Sequence, residues 1–175
     1  MLFRSAPAPF WHGDVIPGGT DITDMQNNYL CLFLRKSFVV SGVSEVSTLK
    51  LTALVDDGFV AWINGQEVLR VGVPGDPGSD VGITTLAANA VEPVSMVTYP
   101  LAIPANLLKE GNNVLAVQVF QSSLGSSDVG FECSLESVAS DKTPPKVLST
   151  QPAMRATVDE FRTLTVSFNE PVRGV

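Results

Sequence analysis

An all-β sandwich is the fold class this sequence predicts, and three observations predict it. Apolar residues recur with period two through short runs bounded by Gly, Pro, Asn and Asp. Two of these runs are joined through Asn64-Gly65, a dipeptide suited to the positive φ values of a type I′ hairpin turn. Helical readings are confined to single turns, so about seven or eight strands have no helices to pack against and must cover one another as two antiparallel sheets.

Taken in order, "LCLFLRKSFVV" (Leu30 to Val40) keeps Leu30, Leu32, Leu34, Phe38 and Val40 on one parity. Lys36 interrupts that parity, which predicts a bulge or strand end near Arg35 and Lys36. "STLKLTALV" (Ser47 to Val55) places Leu49, Leu51, Ala53 and Val55 on one face, and "FVAWINGQEVLRV" (Phe59 to Val71) is the hairpin. From Gly72 to Pro93, three Pro, four Gly and weak alternation predict a long surface excursion, of the kind that often carries function. "VSMVTYPLA" (Val94 to Ala102) returns as a strand, and "IPANLLKEGNN" reads as one helical turn started near Pro104 and ended at Gly111. "VLAVQVFQ" (Val114 to Gln121) turns Leu115, Val117 and Val119 inward, and "FECSLESV" (Phe131 to Val138) does so with Phe131, Cys133 and Leu135. "SDKTPPKV" then marks a linker, because Pro lacks the ladder donor of a central strand. The expected domains are residues 1–142 and 143–175, the second holding two strands, too few for a core of its own.

The 175 residues suit one domain and something smaller, and 45% hydrophobic against 17% charged residues exclude disorder. A formal net charge of −7 supplies no basic stripe, so nucleic acid and anionic membranes are excluded as default partners and neutral or cationic ligands fit better. No run of 18 apolar residues spans a membrane, so no membrane insertion is expected. "MLFRSAPAPF" lacks a signal-peptide core, and the chain reads as a piece of a longer polypeptide.

No catalytic residues are expected. His12, the sole histidine, stands beside Trp11 before the first expected strand, where a Ser-His-Asp or Cys-His arrangement would rest on a flexible terminus. Asp56 and Asp57, in an extended segment, would point to opposite faces and make a poor acid/base pair for glycoside hydrolysis. One reading of Asp56-Asp57-Gly58 is a tight connection, with carboxylates accepting backbone N–H groups and Gly58 supplying an unusual φ. Trp62 shares a strand face with Val60 and opposes Phe59, Ala61 and Ile63, so it is either buried in the sandwich or free to stack on a sugar ring; Trp11, Tyr29 and Tyr99 are the other aromatics suited to such stacking.

The order "YLCLFLRKSF", "LKLTALVDDGFVAWINGQEV", "LLKEGNNVLAVQVFQ", "SSDVGFECSLE" resembles the galactose-binding-like jelly-roll modules of large secreted bacterial proteins, over about Gly13 to Ser140. "VAWINGQEV" with "LLKEGNNVLAVQV" is similar to the sugar-binding domain of β-galactosidases, and "DDGFVAWINGQEV" to protective-antigen-type lectin domains. The tail, "TPPKVLSTQPAMRATVDEFRTLTVSFNEPV", resembles the first two strands of a bacterial immunoglobulin-like repeat, with Asn169 where that pattern has Ser.

This resemblance implies an antiparallel jelly-roll β-sandwich followed by part of an immunoglobulin-like domain, in an extracellular or cell-surface protein. It implies a second reading of Asp56 and Asp57, as oxygen ligands of Ca²⁺ or of sugar hydroxyls, which together with Trp62 would make a carbohydrate-binding set; two residues supply too few oxygens for the cation by themselves. Modules of this type also hold a structural Ca²⁺ between an early loop and the last strand, which would fall to Asp21, Asp24, Asp128 and Glu132. Against that, "GTDITDM" reads equally as a turn capped by Thr20 or Asp21, with Met25 packing inward. Cys31 and Cys133 permit a bridge in an extracellular setting, but Cys133 falls where these modules carry a core aliphatic, which favours two free thiols. The function implied is a non-catalytic carbohydrate-binding or adhesion module, its partner a glycan; the alternative is a structural spacer whose partners are neighbouring domains of the parent protein.

Overall fold

The computed structural model describes residues 5–13, 17–91, 95–104, 106–139 (of Ala139 the backbone alone), 143–157, 159–160 and 162–172. The chain divides into two compact units, Met1–Ser140 and Asp141–Val175.

The first unit is a two-sheet β-sandwich. Its strands are β1 (Phe10–His12), β2 (Thr20–Asp21), β3 (Cys31–Val40), β4 (Val46–Asp56), β5 (Gly58–Ile63), β6 (Gln66–Val71), β7 (Val97–Leu101), β8 (Gly111–Phe120) and β9 (Val129–Ala139). One sheet runs β2-β1-β9-β4-β7 and the other β3-β8-β5-β6. Every pairing in them is antiparallel except β1 with β2.

Alternation along β4 and β9 turns Leu49, Leu51, Ala53, Val55 and Phe131 inward, against Phe59, Ala61, Ile63, Leu115, Val117 and Val119 from β5 and β8. Phe59 links the layers, meeting Phe131 and Tyr99 edge-on at centroid distances of 5.5 and 6.2 Å. Met25, in the loop after β2, is buried with this core, while Thr20 and Asp21 lie in β2 and cap no helical turn.

The hairpin forms as expected, with φ of 52° at Asn64 and 85° at Gly65. Asn64 also does work at longer range. Its Nδ2 donates to Leu107 C=O and to Asn113 Oδ1, both at 2.8 Å, and its Oδ1 accepts from Val114 N–H at 3.0 Å. Asn113, fully buried, accepts from Lys109 N–H and donates to the carbonyls of Lys109 and Gly111. The stretch before β8 therefore closes as a turn, Leu107 N–H to Pro104 C=O at 3.1 Å, and is held by side-chain amides where a helical turn was expected; Ala105 lies outside the described residues.

β3 departs from expectation. It pairs with β8 in unbroken register from Cys31↔Phe120 to Val40↔Gly111, with no bulge at Arg35 or Lys36. Lys36 stands on the inward parity between Leu34 and Phe38 and is nevertheless exposed. A cleft of about 860 Å³ explains it: Leu34, Lys36 and Phe38 line it together with Phe131 and Leu135 of the facing sheet, so the lysine reaches water where the layers part. The shifts of register occur at Val46/Thr48 and Ala61/Trp62.

In the second unit, β10 (Val147–Gln151) and β11 (Thr165–Phe168) form an antiparallel pair. Asn169 accepts from Lys146 N–H through Oδ1 at 2.6 Å and returns its own N–H to Lys146 C=O at 3.1 Å. Val147, Leu148 and Leu164 are exposed. The expected linker residues 140–142 lie outside the described residues.

Candidate functional site

The outward face of the four-stranded sheet divides into a covered part and an open part. The cover is the excursion after β6. In an unbroken strand, residues three apart face opposite ways, but the shift at Ala61/Trp62 sets Trp62 opposite Glu67 and Val60 opposite Arg70. Glu67 and Arg70 therefore share the outward face and meet as a fork, Nε to Oε1 at 3.0 Å and Nη2 to Oε2 at 2.8 Å. Both side chains are under 10% exposed. Arg70 also donates to the carbonyls of Pro74 and Ser79, and Gly78 N–H donates to Glu67. Those hydrogen bonds, ahead of burial, hold the Glu67 carboxyl below its ordinary value.

So anchored, the excursion lays Val73, Val81 and Ala87 over Val60 and Phe120, with Cys31 and Trp62 at the margin of this smaller core. Gln118, 3% exposed, donates to Gly82 C=O at 3.3 Å. Burial pushes the Cys31 thiol above its ordinary value, a hydrogen bond with Gln118 offsetting part of the rise.

Beyond that margin the face is open. Two cross-strand rows lead from this open part at β3 to the covered part at β6, Arg35–Ala116–Trp62–Glu67 and Phe33–Gln118–Val60–Arg70. Ala116 is the small residue between larger ones, and the face sinks over it into a groove of about 280 Å³ lined by Phe33, Arg35, Trp62 and Gln118 among others. Phe33 is 42% exposed and Trp62 half-buried. Phe33 and Trp62 rise into this groove from strands two places apart, whose backbones lie about 10 Å from each other. Arg35 is the one charged side chain in its lining.

The expected carbohydrate-binding set does not assemble here as one site. Trp62 stands at the groove, but Asp56 and Asp57 lie at the β4–β5 corner, each 2% exposed. Asp57 Oδ1 accepts from Val91 N–H at 2.9 Å and Oδ2 from Ser122 N–H at 2.7 Å. Burial raises the Asp57 carboxyl, but hydrogen bonds with Asp56, with Ser122 and with the Val91 and Ser122 amides outweigh it and hold the group below the usual carboxylate value. The two carboxyls meet, instead of facing apart, because the chain bends at Asp57; the peptide between them is cis. Gly58 has no positive φ. It is required by close approach, since a Cβ there would lie 3.0 Å from Val71 O and 3.1 Å from Gly72 O.

The acidic residues expected to hold Ca²⁺ have separate attachments. Asp21 takes His12 Nδ1 at 3.0 Å, Asp24 the Tyr29 hydroxyl at 2.7 Å and Asp128 the Ser126 hydroxyl at 3.2 Å, while Glu132 pairs in register with Leu54. Among the described residues no three His, Cys, Asp or Glu side chains gather as a metal centre. Burial, then the bond to Asp24, raises the Tyr29 hydroxyl. His12 lies in β1 opposite Val129, not in a loose terminus. Cys31 and Cys133 are free and sit on different sheets. Burial, with Glu132 nearby, pushes the Cys133 thiol up to about 11. Of the other aromatics, Tyr99 packs on Phe59, Tyr29 is tied to Asp24 and Trp11 donates through Nε1 to Gly18 C=O at 2.8 Å.

The sequence did not mark Phe33 as a binding residue, and it marked Arg35 only as the site of an expected bulge. The available signal was parity: an aromatic at Phe33 falls out of phase with Leu32 and Leu34, and so sits on a strand's outward face.

No family model matches the chain, and no curated protein does. Among solved structures it is similar to alpha-L-rhamnosidase from Dictyoglumus thermophilum, with a TM-score of 0.33 and 18% identity over 65% of this chain. The chain spans 12% of that protein's length. No helix among the described residues is long and apolar enough to cross a membrane.

Proposed function

We propose that residues 1–142 are a non-catalytic carbohydrate-binding module of a galactose-binding-like jelly-roll type, taking a saccharide in the groove between Trp62 and Phe33. The observation that carries this reading is the placement of two aromatic side chains in one groove on the outward sheet face, Trp62 beside Ala116 and Phe33 in the neighbouring row beside Gln118. Pyranose rings present an apolar C–H face that stacks on such surfaces, and Trp offers the largest area with the least rotamer freedom to lose. In this reading the module belongs to a larger extracellular or cell-surface protein, whose second unit is the start of an immunoglobulin-like repeat.

A glycan array read with and without Ca²⁺ tests it. Trp62→Ala is expected to weaken the bound glycan about tenfold, the equivalent of about 1.4 kcal/mol of stacking, and Phe33→Ala by less. Binding that is unchanged in both variants would remove the groove from the account. The second reading, a spacer that binds no small ligand and packs against neighbouring domains, is favoured by Asp57, whose two oxygens are already taken by backbone donors.

A further inference from the structure

We infer that the groove selects saccharides bearing a carboxylate, uronic acids, through Arg35; this rests on the carbohydrate-binding reading above. Arg35 and Trp62 occupy one cross-strand row with only Ala116 between them, so a sugar ring resting on the indole extends over the methyl group toward the guanidinium. Among the residues lining the groove Arg35 alone is charged. The neighbouring charges of this face, Glu67 and Arg70, already satisfy each other. No ion pair involves Arg35 among the described residues, and its side chain is exposed. A planar fork of N–H donors matches a carboxylate in two parallel hydrogen bonds, which a hydroxyl does not offer. The chain's net charge of −7 disfavours polyanions at long range, but screening confines that field to about 8 Å at physiological salt, and at the groove the nearest unpaired charge is positive.

Matched probes decide it. Trisaccharides of galacturonate, glucuronate and mannuronate would be titrated calorimetrically, each beside its methyl ester, which keeps the ring and removes the charge. At least one acid is expected to bind about fivefold more tightly than its ester, the scale of an exposed ion pair. Arg35→Gln should abolish that preference, bringing acid and ester to the same affinity, and Arg35→Lys should restore part of it. Trp62→Ala should weaken acid and ester together. Equal binding of acid and ester, or binding of neutral array glycans with none of the three acids, would overturn the carboxylate preference and leave the groove reading standing. Acid binding that survives Trp62→Ala unchanged would overturn both.

Discussion

Asn64, in the hairpin turn, donates to Asn113 at the start of β8 across 2.8 Å, though 49 residues separate them in sequence. Asn113 bonds in turn to Lys109 and Gly111, so one amide pair, with Asn113 fully buried, ties the β5–β6 turn to the loop that feeds an inner strand of its own sheet.

Asn113→Ala removes the partner of the amide and carbonyl of Lys109 and of the carbonyl of Gly111, and it empties a fully buried side-chain site. A loss of about 3 kcal/mol is expected. Urea unfolding measures it, and a loss below about 1 kcal/mol would show that the loop re-satisfies itself.

Asp57 makes stability depend on pH with a definite sign. Its folded value lies below the ordinary one, so its contribution is complete above the unfolded value of about 3.9 and disappears as pH falls through the folded value. The difference in unfolding free energy between the wild type and Asp57→Asn should be constant from pH 5 to 7 and shrink below about pH 4. A difference that grows on acidification would contradict the assignment.

Removing the guanidinium that anchors the excursion should free one segment and leave the sandwich. Arg70→Met is expected to cost about 1.5–3 kcal/mol, the range for hydrogen bonds to charged groups, and to raise exchange at Gly78 N–H, which donates to Glu67. Faster exchange spread through β8 would place the anchor in the main core.

The second unit has two strands and exposed apolar side chains, and an isolated pair of strands is marginal in water. Amides of Thr165 to Phe168 should exchange orders of magnitude faster than those of Leu115 to Val119. Equal protection in a monomer would mean that something covers the pair.

What was legible in the sequence is what repeats locally. The alternation of Leu49, Leu51, Ala53 and Val55 set the inward face of β4, and Asn64-Gly65 set the hairpin. β1 and β2, three and two residues long, are too short to show a period and exist through their partners. The candidate groove was hidden for a related reason. That Trp62 stands beside Ala116 with Phe33 in the adjoining row follows from the register of three strands far apart in sequence, and no local pattern states a register. Nor did the backbone approach of Gly58 to Gly72, 14 residues on, show itself in "DDG".

Lys36 bears on how the protein behaves in concentrated solution. β3 is ten residues long and ends its sheet, leaving a row of backbone groups against which a strand of another molecule can align. An inward-facing ammonium in mid-strand spoils that alignment, because an added strand would close the sheets over the charge and strip its water. Leucine at this position would suit the parity and the cleft better and would take the charge off the edge, so the residue that most disturbs the strand's pattern is also the one least suited to edge-to-edge pairing.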